Sequence, residues 1–457
     1  MTTVSSQAPR TGRNVELVLL LLAVAIVVLA YVNVSLGVSG TFPTGLATHG
    51  TGLLVISLAM HLLLRWRASY ADPLLLPIVT LLNGLGLVMI YRLDLAEGRS
   101  ITEGLALRQL TWSAVAVAIA AVVLFVLRDH RTLRRYTFTA AAVGFGLLVL
   151  PLLPGIGRTV NGSRIWIGLG PFTFQPGEVA KIVLAVFFAG YLVQTRDALS
   201  LAGRKVLGFT FPRGRDLGPI LVAWILSLLV LVFEKDLGSS LLLFGLFVAA
   251  LYVATERTSW IAIGLALFAF GAYVAWRLFA HVQARVQLWL DPFAPDQSDQ
   301  VAKGLMGMAA GGLLGTGLGR GRPDLTYFAE SDFIVPSFAE ELGLVGLFAL
   351  LMLYVLLVQR GMRTALGVRD GFGKLLAAGL SFSVALQCFV VVGGVTRVIP
   401  LTGLTMPFLS YGGSSLLANW SLVALLLRIS DHARRPVAEV PIAAASPDAR
   451  TEVVPVR

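Results

Sequence analysis

One cysteine, Cys388, in 457 residues leaves no partner for an intramolecular disulfide. It lies inside an apolar run and reads as packing. Histidine is also scarce, five in all. His281 alone falls in the long outer segment described below, which argues against a His-rich metal site there. Charge is the third shortage. Only 13% of residues are Asp, Glu, Lys or Arg, while 56% are hydrophobic and mean hydropathy is +0.82. No soluble domain of this length has that balance. Short alternating segments are missing, which excludes a β-barrel. No stretch resembles a nucleic-acid module, so the net charge of +11 is read as membrane orientation and headgroup attraction. The first apolar run begins near Val15 without a small-residue cleavage site, so it is a retained span, not a signal peptide.

What remains is an all-α polytopic membrane protein. Apolar runs of about 20 residues, each long enough to cross a bilayer, recur about twelve times. They lie near 15–37, 50–66, 71–92, 107–127, 136–154, 176–195, 218–234, 237–254, 259–279, 336–358, 374–396 and 410–429. Residues 1–14 form a polar N-terminal tail, and 431–457, rich in Ala, Pro, Val and charge, a flexible C-terminal one.

Lys and Arg set the orientation. Arg65 and Arg67; Arg128, Arg131, Arg134 and Arg135; Arg196, Arg204, Lys205, Arg213 and Arg215; Arg360, Arg363, Arg369 and Lys374; and Arg434 and Arg435 fall in alternate segments. The intervening segments are poor, with none in 38–49, Lys235 alone in 234–237 and Arg397 alone in 397–409. Both termini are then expected in the cytoplasm, with 155–175 and 280–335 outside. The segment 280–335 is too long for a simple connector. It carries glycines at 311, 312, 315, 317, 319 and 321. A GxGxxG nucleotide reading of them is weak, because no strand precedes them.

Four stretches put polar groups at the membrane boundary. Residues 327–343 hold Glu330, Asp332, Glu340 and Glu341 where the long outer segment meets an apolar run. Acids there point to chemistry, or more simply to a solvated helix start that favours its dipole. The two readings weigh equally for Glu330; Asp332 and Glu340 favour function. In 175–181, Glu178 and Lys181 are three residues apart, so they share a helix face as a structural ion pair or as part of a site. Asp236, in the turn Glu234-Lys235-Asp236, can be solvated or can cap the following helix. Residues 397–415 contain two prolines, hydroxyl residues and a Gly pair, poor helix formers that fit a cavity wall. Their N–H groups with Arg397 can hold an anion such as a phosphate. Carboxylates, cations and an anion-binding backbone on one side suit a phosphate-bearing amphiphile, either attacked by a hydroxyl or transported.

The chain resembles the SEDS family, the group of RodA and FtsW. The stretches that carry the likeness are 161–166 (Asn-Gly-Ser-Arg-Ile-Trp), 174–178 with Lys181, 236–238, Ser331-Asp332-Phe333-Ile334, 340–343, 400–408 and 410–415. Together they are specific; each alone is weak. They span about 71–430, which reads as a ten-span core; 15–70 then forms two additional N-terminal spans, as in actinobacterial relatives. The wording of 394–420 is closer to RodA than to FtsW. Three departures stand out: Glu330-Ser331 replaces a usual His-Thr, Thr173 a frequent Arg, and Pro336 interrupts the start of the following helix.

The resemblance implies a glycosyltransferase that polymerises lipid II into peptidoglycan glycan strands at the outer face of the cytoplasmic membrane, for elongation and cell shape. Asp332 matches the family's required aspartate. Trp166, Glu178, Lys181, Asp236, Glu340, Arg397 and Ser414 are the expected substrate-binding residues. Asp332 would take the proton of the acceptor sugar's 4-hydroxyl as that oxygen displaces the lipid pyrophosphate with inversion. Lys181, Arg397 or a divalent cation, Mg or Mn, would meet the leaving charge, although no dedicated ligand set for a metal is visible. The implied partners are lipid II, the growing glycan chain, a class B penicillin-binding protein (a transpeptidase) and other elongation or division machinery. Rival readings are a division-type polymerase of the same chemistry, a lipid II flippase, and a scaffold that only recruits cell-wall enzymes.

Overall fold

A computed structural model describes residues 11–436 except 161–162, 171, 201–204, 207–208, 211–217 and 295–298. The outer parts of both expected tails, 1–10 and 437–457, lie outside the described residues. So do Asn161, Gly162, Arg204, Arg213 and Arg215.

The chain is a helical bundle, as expected. Its spans are α1 (Arg13–Ser39), α2 (Leu46–Arg67), α3 (Leu75–Ala96), α4 (Leu105–Val126), α5 (Thr137–Val149), α6 (Pro176–Ser200), α7 (Gly218–Glu234), α8 (Leu237–Thr255) and α9 (Thr258–Leu278). Two outer helices follow, α10 (Ala280–Leu290) and α11 (Asp299–Gly311), then α12 (Ile334–Gly367), α13 (Gly371–Val395) and α14 (Gly413–Arg434). Among the described residues, eleven helices are long and apolar enough to cross a membrane, α5 counting with the short helical turns that extend it to His130–Leu152. The twelfth expected span, α7, has 17 residues and falls just short of that length. Helix is the form these sequences must take in lipid, because it satisfies every backbone polar group within the segment.

Burial sorts the helices. α3 and α14 are the most enclosed, whereas α9 is buried over only a small part of its length. Apolar side chains such as Val55, Phe270 and Phe348 stay exposed on the bundle, where acyl chains are their solvent. α14 packs on α4, α12 on α13 and α5 on α6; the N-terminal α1 and α2 lean on α3 and α4.

Two features were not foreseen. The segment 155–175 holds a three-stranded antiparallel sheet of β1 (Gly157–Val160), β2 (Ser163–Leu169) and β3 (Phe172–Phe174). In addition, α12 is two helices. Gly343 has φ 68° and ψ −173°, outside helical space. The break lets the glycine-rich turn insert. Leu344 and Val345 donate N–H bonds to the carbonyls of Gly312 and Leu313, and Thr316 and Gly317 to those of Glu340 and Glu341. A Cβ on Gly343 would fall 2.2 Å from the nitrogen of Gly315, so only glycine fits.

Pro336 does not interrupt its helix. It sits in the first turn of α12, where an N–H has no intrahelical partner to lose.

Candidate active site

The starts of α4, α6 and α14, the turn before α8, the loop before α12 and the 397–415 segment meet the small sheet and α10 at one end of the bundle. There they enclose a cavity of about 990 Å³. Its acids are Glu178, Asp236, Glu330 and Asp332, its cations Arg108 and Arg285, and its aromatic wall includes Trp112, Trp166, Phe328 and Tyr411.

Asp332 stands at the end of a tight loop. Phe328 adopts φ 59°, and its carbonyl accepts the N–H groups of Ser331 and Phe333 at 3.0 and 3.1 Å. The fully buried Phe333 ring anchors the next position. The loop is then stitched to the irregular 397–415 segment. Ser410 donates to the carbonyl of Ser331 at 2.6 Å and accepts the N–H of Met406 at 2.8 Å. Tyr411 donates its N–H to the carbonyl of Glu330 at 2.7 Å. The carboxyl is therefore placed by two chain segments.

Burial pushes the Asp332 carboxyl up to about 6; the neighbouring Arg285 opposes the rise, and Asp236 and Glu330 add to it. Asp236 is buried and also held above the usual carboxylate range by burial, despite bonds from the N–H (3.1 Å) and hydroxyl (2.6 Å) of Ser239. It caps α8 from a buried position in the cavity wall, so the capping reading of this turn holds and the solvated one does not.

Trp166, from β2, lines the cavity, and its strand is tied to the α7–α8 turn by Ser163 Oγ donating to the Lys235 carbonyl at 3.3 Å. Ser414, in the first turn of α14, lines it as well and accepts the N–H of Gln175 at 2.9 Å. No side chain caps α14, and its start opens on the cavity at Gly412 and Gly413, a favourable place for an anion.

Three expected residues stand back from the cavity lining. Lys181 Nζ is taken up by Glu178 at 2.6 Å and by Gln387 Oε1 at 2.7 Å, and Gln387 donates onward to the Thr405 carbonyl at 2.8 Å. Of the 175–181 pair, only Glu178 reaches the cavity. Glu340 accepts the N–H of Arg322 at 2.6 Å and braces the glycine-rich turn. Its neighbour Glu341 pairs with Arg92 at 2.7 Å and accepts the N–H of Gly319 at 2.9 Å. Arg397 donates to the carbonyls of Trp289 and Leu290 at 2.8–3.0 Å, which closes the end of α10.

Sequence reasoning missed the two cations that line the cavity. Arg108 is in the first turn of α4 and bonds to Tyr411. Arg285 projects from amphipathic α10, with Nη1 2.9 Å from the Leu401 carbonyl. An arginine at the outer start of a span and another on an outer amphipathic helix were the available signals. The cavity acids do not gather as a metal-binding group. Among the described residues the one group of three His, Cys, Asp or Glu side chains so placed is Asp129, His130 and His432, elsewhere in the bundle.

The family described as "Cell cycle protein", that of FtsW, RodA and SpoVE, matches residues 73–435. The chain belongs to this family. It is 52% identical over 432 residues to "Peptidoglycan glycosyltransferase RodA" of Mycobacterium tuberculosis, covering 93% of this chain and 92% of that one. It is 33% identical over 377 residues to "Probable peptidoglycan glycosyltransferase FtsW" of Trichlorobacter lovleyi, covering 80% and 94%. Among solved structures, it resembles a chain reported under "Structural coordination of polymerization and crosslinking by a peptidoglycan synthase complex", with TM-score 0.62, 27% identity and coverage of 80% and 99%. The expected class, a multi-pass membrane glycosyltransferase of the RodA and FtsW family, stands.

Proposed function

We propose that the protein polymerises lipid II into glycan strands, with Asp332 as general base in the cavity. The observation that carries the reading is the placement of Asp332. Burial holds it near 6, beside Arg285, in a cavity that also has a helix N-terminus open to an anion. A base with that value is ionised at neutral pH yet still a useful proton acceptor. The acceptor sugar's 4-hydroxyl gives its proton to Asp332 while its oxygen bonds to the anomeric carbon of the growing chain. The bond from that carbon to the lipid pyrophosphate breaks, and the electrons leave with the phosphate. Arg108, Arg285 and the start of α14 meet the leaving charge, a role assigned from sequence to Lys181 and Arg397. Trp166 offers an apolar face to a sugar ring.

The outer face is the working side in this reading, and both termini are cytoplasmic. The described Arg-rich stretches, at the ends of α2, α4, α12 and α14, lie at the opposite end of the bundle from the cavity, in keeping with the positive-inside rule. The 52% identity to RodA, against 33% to FtsW, favours the elongation branch. A transpeptidase of the class B penicillin-binding type is the proposed partner, on the likeness to a complex that joins polymerization to crosslinking.

The deciding experiment is polymerisation of labelled lipid II by purified protein. Wild type should yield glycan strands, and Asp332→Asn should lose about 10²–10⁴-fold in rate while remaining monodisperse. Strand synthesis by Asp332→Asn at the wild-type rate would refute the assignment. Transport of lipid II in vesicles with no strand formed by the wild type would make the protein a flippase.

A further inference from the structure

At the end of the bundle opposite the cavity, the short helix His130–Tyr136, the start of α13 and the end of α14 meet around two histidines. Asp129, His130 and His432 each bring one ligand atom within 4.8 Å of the others. Asp129 Oδ1 is 3.7 Å from His130 Nδ1 and 4.0 Å from His432 Nε2, too far for hydrogen bonds. The two rings stand 5.2 Å apart, edge to face.

The protons on these rings are fixed from behind. His130 Nε2 lies 2.8 Å from Asp370 Oδ2. An ionised carboxylate only accepts, so Nε2 carries the hydrogen and Nδ1 holds a lone pair in the neutral ring. His130 is 0% exposed and its Nδ1 has no hydrogen-bond partner. Asp370 is itself locked in place by the N–H of Gly373 at 2.7 Å. His432 repeats the pattern. Its Nδ1 faces the Arg428 carbonyl at 3.4 Å, which leaves the Nε2 lone pair toward Asp129. Two ring lone pairs and a carboxylate thus converge; Asp129 Oδ1 also accepts the N–H of Arg131 at 2.9 Å, which caps the short helix and leaves the carboxylate further lone pairs for an ion. A histidine held from behind by a carboxylate is a common setting for a metal ligand. The nearby cations are engaged elsewhere, Arg131 with Asp370, and Arg428 and Arg435 with Asp431.

We infer that Asp129, His130 and His432 form a divalent transition-metal site, with zinc the best fit to two imidazoles and one carboxylate. Hard ions such as Mg²⁺ prefer all-oxygen sets, so this set selects against them. Zinc–nitrogen bonds of about 2.0–2.1 Å in tetrahedral geometry put ligand atoms roughly 3.3 Å apart. The present spacing closes to that with small side-chain rotations. A bound ion fastens the α4–α5 connection to the end of α14, whose start lines the cavity.

The test uses full-length protein in detergent, stripped with chelator and then titrated with Zn²⁺ and with Co²⁺. The expected result is one Zn²⁺ per chain retained through desalting and a tetrahedral Co²⁺ absorption spectrum. His432→Gln and Asp129→Asn should each lose at least tenfold in zinc affinity while staying monodisperse. Asp370→Asn, which touches no metal, should weaken binding in the same direction. Zinc should raise the thermal midpoint of wild type and not of His432→Gln. Sub-stoichiometric zinc in the wild type, or equal zinc in wild type and both ligand variants, would mean an adventitious ion only and overturn the proposal.

Discussion

Asp332 and Arg285 converge on Gly403. A Cβ at that glycine would lie 3.6 Å from Asp332 Oδ2 and 3.9 Å from Arg285 Nη2. One residue of irregular backbone thus lies between the carboxylate and the cation. Burial raises the Asp332 carboxyl to about 6, and Arg285 limits the rise.

Activity should follow the ionisation of that carboxyl. Only the carboxylate accepts a proton, so kcat/KM should climb with pH through about 6 and level off above it. Arg285→Gln removes the favourable cation, which makes the carboxylate harder to form. Its acid limb should move to higher pH, beyond any loss of substrate binding. Initial rates of lipid II polymerisation against pH, for both proteins, check the direction.

Gly403 has φ 76°, which costs an L-residue about 1–2 kcal/mol. The added methyl meets only ordinary contacts at 3.6 Å and beyond. Gly403→Ala should therefore fold, with a lowered thermal midpoint and a lowered kcat, because the strain is released next to Asp332. Thermal unfolding in detergent and single-condition rates read both.

Ser410 Oγ joins the Asp332 loop to the 397–415 segment through one hydrogen bond, to the Ser331 carbonyl, and makes a second within its own segment, from the Met406 N–H. Ser410→Ala leaves the Met406 N–H without this partner, a cost of about 1–3 kcal/mol, while the Ser331 carbonyl keeps the Ile334 N–H at 3.4 Å. The change is expected to lower kcat more than it changes KM, because the loop that positions the carboxyl loosens. A kinetic series over lipid II concentration separates the two.

Lys181 and Glu178 are a nearly buried pair, with side chains 10% and 5% exposed. Lys181→Met leaves the acid uncompensated, which should cost about 3–5 kcal/mol. Adding Glu178→Gln removes the orphaned charge and should restore most of the stability, though not the activity. A thermal double-mutant cycle tests this, and strictly additive losses would refute it.

The class of molecule was written in the composition. Charge at 13% with recurring apolar runs permits little besides a helical bundle in a membrane. The short motif around Asp332 was legible too, because an acid at a membrane boundary is costly and calls for a reason. Residue type and spacing could not say which charges share a cavity. Glu340 and Arg397 are no less polar than Glu330 and Arg285, yet their hydrogen bonds go to the Arg322 N–H and to the end of α10. Pairing between residues far apart in the chain is settled by helix packing. Only packing brings Arg108 to Tyr411, Ser410 to Ser331 and His130 to His432.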